Sequence, residues 1–204
     1  MKIGNYSYDE YLHLVKSFHG SLAPGLIIGG FMVDLALRSL PKGELFDAIC
    51  ETPVCLPDSV QLLTPCTIGN GWLTVLPFGR YAVTFYEKHG GEGVRVYLDP
   101  AKMEAWPEVK SWFFKLKPKK EQDSQRLIEE IKEAGANLLS VQRVRVREFR
   151  RCQPGHDRPA QHDPPDAVVD LEGGAHRSCP ASRVPGRQYE SPARATHAAA
   201  SAPP

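Results

Sequence analysis

The sequence predicts an α+β fold: N-terminal helices packed on a mixed or antiparallel sheet, one later helix and strand, and a disordered C-terminal tail. Three observations carry this. Apolar residues recur at helical spacing between Ser7 and Leu40. Alternation at strand spacing appears between Leu73 and Asp99. Composition then changes abruptly after Arg147. Helices that precede a run of strands, instead of alternating with them, point away from a doubly wound α/β fold.

The elements follow in order. "SYDEYLHLVKSFHG" is a helix with Ser7 as N-cap and Glu10 three residues on, the pattern of a capping box. Tyr11, Leu14, Val15 and Phe18 share its apolar face, and Gly20 stops it. "PGLIIGGFMVDLALRSLP" is a second helix, apolar nearly all round and therefore buried, ended by Pro41-Lys42-Gly43. "LFDAICET" is a short strand and "LPDSVQLLTPC" a short helix. "GWLTVLPF", "RYAVTFYEKH" and "GVRVYLD" are strands, the last alternating as a half-exposed strand does. "EVKSWFFKLKP" is short and amphipathic, and "KEQDSQRLIEEIKEAG" is a helix stopped by Gly135. "NLLSVQRVRVR" is a last strand, alternating apolar and basic.

A chain of 204 residues has room for one fair-sized core or two small ones. Residues 1–148 form one domain, and 149–204 form the tail. Half of the 18 prolines lie in the tail, whose only leucine is Leu171. Such a segment buries too little apolar surface to offset the entropy of ordering its backbone. With 25 basic and 24 acidic side chains, the chain shows no electrostatic footprint for nucleic acid. No apolar run reaches the roughly 20 residues that span a bilayer, so no membrane partner is expected. Acidic residues stand where a secretory signal needs its apolar stretch, so a cytoplasmic location is expected.

His19, Cys50, Cys55 and Cys66 carry the side chains best suited to zinc or iron. Their spacing is not that of a zinc ribbon. Cys50 alternates with apolar positions and belongs in the core. Cys55 and Cys66 read equally as buried thiols or as ligands. Asp58 and Gln61 lie one turn apart, and Asp58 either favours a helix N-terminus or neighbours a site at Cys55. "CTIGNGW" holds an Asn70-Gly71 turn, and "KLKPKK" is basic, read first as a solvated run and second as a phosphate contact.

"FHGSLAPGLIIGGFMVDLAL", then "ELFDAICETPVCLPDSVQLLTPCTIGNGWL", then "TFYEKHGGEGVRVYLDP" together resemble the formylmethanofuran dehydrogenase E-subunit family. The resemblance covers roughly residues 8 to 147. It implies an α+β fold and a metal, usually zinc, in the N-terminal domain. The family pattern is His-Gly-His-x-Cys-Pro-Gly, or with Ala for that Cys, followed by Cys-x-x-Asp. His19 matches the first histidine, Cys55 and Asp58 the second segment, and Cys66 a later cysteine. Ser21 stands where the second histidine would be, and Ala23 where many members have cysteine. The implied ligands are therefore His19, Cys55 and Cys66, with Ser21, Asp58 and Gln61 beside them. Many relatives end in a zinc ribbon. Here only Cys152 and Cys179 occupy that stretch, and the change in composition implies an altered or out-of-frame C-terminus.

Three functions follow. The first is a metal-binding accessory domain serving a molybdenum or tungsten redox enzyme, or a one-carbon system. The second is a small enzyme using the same pocket, with Cys55 as nucleophile or a metal-held water. The third is a degenerate, non-catalytic scaffold that forms a homodimer.

Overall fold

A computed structural model describes residues 1–40 and 45–147 and the backbone of 168–171. A pair of two-residue strands, β1 (Lys2–Ile3) and β2 (Tyr6–Ser7), leads into α1 (Tyr8–His19). The Ser7 hydroxyl accepts from the Glu10 amide at 3.3 Å, and the Glu10 carboxylate accepts from the Ser7 amide at 2.7 Å, so the capping box forms. Gly20 closes α1 in the left-handed conformation, its N–H donating to the Lys16 carbonyl. Tyr8, Tyr11 and Val15 form the buried face. Phe18, expected on that face, is 55 % exposed, because the helix ends one residue later and runs clear of the core there.

Helix α2 (Pro24–Ser39) is the centre of the helical layer. Ten of its residues are buried, as its all-round apolar pattern requires. It ends at Ser39, just before Pro41-Lys42-Gly43, which lie outside the described residues. Gly29 and Gly30 let neighbours come close. A Cβ on Gly29 would meet the Ser59 hydroxyl, and one on Gly30 would lie 2.5 Å from the Tyr11 ring. Tyr11 and Ser59 then both donate to the Leu26 carbonyl, at 2.9 and 3.0 Å. One carbonyl of α2 thereby ties α1 and α3 (Leu56–Leu63) to it.

The main sheet has the order β4-β3-β5-β6-β7-β8, with β3 (Phe46–Cys50), β4 (Leu73–Val75), β5 (Ala82–Glu87), β6 (Glu92–Leu98), β7 (Leu139–Arg147) and β8 (Val168–Leu171). Only β3–β4 is parallel among the described pairs, so the sheet is mixed, as expected. Cys50 pairs with Val83, Val83 with Val96, and Phe85 with Val94. These side chains join the helices in one core. The opposite face carries the row Ile49, Thr84, Arg95, Gln142. Arg95 and Glu51 are both buried there, and the guanidinium reaches the two carboxylate oxygens at 2.5 and 2.7 Å. The alternation of β6 predicts a half-exposed strand. It is instead buried over Gly93–Val96, because it is an inner strand and Arg95 is neutralised in place.

The short amphipathic run after the sheet hairpin forms α4 (Pro107–Phe113), and the later helix is α5 (Ser124–Ala134). Asp123 caps α5 by accepting from the Gln125 and Arg126 amides. The tail expected to be disordered lies outside the described residues, except that Val168–Leu171 adds β8 to the edge of β7. This is the tail's run of β-branched and apolar residues. Cys152 and Cys179 also lie outside the described residues. Among the described residues, no helix is long and apolar enough to cross a membrane.

Candidate functional site

The site forms where the end of α1, the start of α2 and the start of α3 meet. His19 is the last residue of α1 and Asp58 lies in the first turn of α3. The two are 39 residues apart in sequence, yet His19 Nδ1 is 2.9 Å from Asp58 Oδ2. The side chains are 32 % and 30 % exposed, so the pair opens to solvent. A carboxylate only accepts, so Nδ1 carries the proton in this bond. That leaves Nε2 of a neutral imidazole with its lone pair available.

Cys55 precedes α3 with φ +58° and ψ −49°. The Leu56 N–H donates to the Val54 carbonyl at 2.6 Å across it. This is a γ-turn of the rare, positive-φ kind. Holding a non-glycine residue there costs roughly 1–3 kcal/mol, a strain that surrounding packing must sustain. The packing is visible. Tyr81 donates its hydroxyl to the Gly25 carbonyl at 2.6 Å. A Cβ on Gly25 would lie 2.7 Å from that hydroxyl and 3.2 Å from Cys55 Sγ. The thiol therefore sits against bare α2 backbone beside the Tyr81 hydroxyl. Burial raises the Tyr81 phenol well above its usual range, and the nearby Cys55 adds to this.

Burial, then the Asp58 charge, raises the Cys55 thiol. A raised folded-state pKa holds the proton on sulfur at neutral pH, so the thiolate fraction falls. In metal-free protein, Cys55 is expected to react with iodoacetamide about 3-fold or more slowly than a free thiol at pH 7. The rate should keep climbing with pH beyond the point at which a free thiol levels off. Peptide mapping by mass spectrometry reads this; labelling at neutral pH faster than free glutathione would overturn it.

The structure separates the other expected site residues. Cys66, expected as a ligand with His19 and Cys55, is fully buried, and its Sγ donates to the Phe46 carbonyl at 3.6 Å. The eight residues of α3 carry the chain about 12 Å along its axis before Cys66, away from the turn at Cys55. Gln61 Oε1 accepts from the Ile68 amide at 3.2 Å and braces the following loop instead of facing His19. Ser21 is exposed in the link between α1 and α2. The Asn70 turn is satisfied internally: its Oδ1 accepts from Thr67 and Trp72, and its Nδ2 donates to Pro65. Cys50 is in the core, as expected. Tyr81 and Gly25 carry no local signal in the sequence, since nothing there marks a tyrosine just before a strand as the neighbour of a thiol.

Imidazole nitrogen, thiol sulfur and carboxylate oxygen are all ligand types for zinc. Yet among the described residues no group of three or more His, Cys, Asp or Glu is arranged to hold a metal. That is fewer donors than the four that a closed structural zinc site uses.

Residues 18–146 match the family model described as FmdE, molybdenum formylmethanofuran dehydrogenase operon. A crystal structure of a tungsten formylmethanofuran dehydrogenase FmdE-like protein from Syntrophus aciditrophicus is 49 % identical, with a TM-score of 0.67. The match covers 84 % of this chain and 91 % of that one. A probable S-adenosyl-L-methionine-binding protein of Archaeoglobus fulgidus is 32 % identical over 153 residues. That match covers 68 % of this chain and only 42 % of the archaeal protein's length.

Proposed function

The chain belongs to the FmdE family, linked to the formylmethanofuran dehydrogenase operon, and from that premise we propose that it is a metal-binding accessory domain. His19 Nε2 and the Cys55 sulfur are its donors, with zinc or iron as the metal. Solvent, or a group from a partner molybdenum or tungsten enzyme, completes the coordination. The carrying observation is the 2.9 Å contact between His19 Nδ1 and Asp58. Metal-ligating histidines usually donate their second N–H to a carboxylate, which sets the tautomer and the ring orientation. Bound there, zinc would supply Lewis acidity; the chain itself orients the imidazole through Asp58 and holds the sulfur through the γ-turn. The raised Cys55 thiol speaks against the alternative of a metal-free thiolate nucleophile.

Zinc affinity by competition with a chromophoric chelator tests the reading. Asp58→Asn should weaken binding about 10–100-fold, as loss of an outer-shell partner does. His19→Ala and Cys55→Ala should each weaken it further, with circular dichroism unchanged. Zinc affinity indifferent to His19→Ala would overturn the proposal.

A further inference from the structure

We propose that the lysine-rich cavity beyond the end of α4 docks an acidic segment of a partner protein. The cavity measures about 610 Å³. Trp112, Leu116 and Pro118 give it apolar lining, and Lys115, Lys117 and Lys119 line it as well. Four of the six residues at 115–120 are lysine and none is acidic. Lys117 lies 3.3 Å from Glu108, but among the described residues no ion pair engages Lys115 or Lys119. Glu121 and Asp123 follow this run directly, so the excess positive charge is confined to the cavity lining, which holds three lysines and no acidic residue.

The loop is held in shape. Lys115 adopts φ +53°, uncommon for a side-chain-bearing residue. The Leu116 N–H donates to the Ser111 carbonyl at 2.9 Å, and Gln122 Nε2 donates to the Lys117 carbonyl at 3.2 Å. Phe114 and Leu116 remain 45 % and 63 % exposed beside the amines. Large apolar groups flanked by cations match a chain that carries carboxylates and apolar side chains together. The cavity has no arginine in its lining, hence no planar fork to select a phosphate. Lysines act as point charges on flexible stems, which suits carboxylates spaced along a mobile segment. This inference is independent of any metal at His19.

The test uses the full chain and a fluorescein-labelled peptide of alternating Glu-Glu-Leu units, read by anisotropy at low salt. The peptide should bind, and binding should weaken as salt shortens the screening length. Lys115→Glu with Lys119→Glu should weaken it at least about 10-fold, and Leu116→Ser about 3-fold, with thermal midpoints unchanged. Lys119→Glu alone, at an exposed position, gives the same direction if the double variant folds poorly. Absence of peptide binding, or binding indifferent to these lysines, would overturn the proposal. Lysine-dependent binding of inorganic pyrophosphate without peptide binding would overturn it too, assigning the cavity to phosphate.

Discussion

Arg95→Met is expected to lower the unfolding free energy by about 3–5 kcal/mol, measured by urea denaturation. Arg95 and Glu51 are 7 % and 5 % exposed, so the substitution strands a carboxylate that water cannot reach. The guanidinium also donates to Gln142 Oε1 at 3.1 Å and lies 5.2 Å from the Tyr97 ring centroid. Those contacts go as well. Replacing both charges, Arg95→Met with Glu51→Leu, should recover most of the loss, since no unpaired charge then stays buried. A single-variant loss under about 1 kcal/mol would mean that solvent reaches the pair.

Gly30→Ala is expected to destabilise by about 2–3 kcal/mol, against the usual sign for a helix interior. Glycine to alanine normally gains up to about 1 kcal/mol there. Here the new Cβ would lie 2.5 Å from the ring of fully buried Tyr11. The ring must move, which costs overpacking strain and its bond to the Leu26 carbonyl. Tyr11→Leu in the Gly30→Ala background should cost less than Tyr11→Leu alone, a coupling that a double-mutant cycle reads. A stabilised Gly30→Ala protein would show that the α1–α2 contact is looser than described.

Local signals made much of this fold legible. The Ser7–Glu10 capping box, the Gly20 stop and the all-apolar α2 depend on neighbours within a few residues. The covering of β6 was not legible, because alternation cannot announce that Arg95 will find Glu51 44 residues away. At the site, residue chemistry and family resemblance brought His19, Cys55 and Asp58 together as candidates. Cys66 marks the limit of that reasoning, because ligand type says nothing of direction, and α3 carries it into the core. Tyr81 and Gly25 are visible only once β5 and α2 are folded against each other.

Cys55 sets a final trade-off. Its positive-φ turn is one that glycine would occupy without strain. A chain shaped for folding alone would carry glycine at 55, and the helix after it would start just as well. What such a chain would lack is the sulfur held against Gly25 and Tyr81. The backbone at this position thus records a preference for a side chain over an easier conformation.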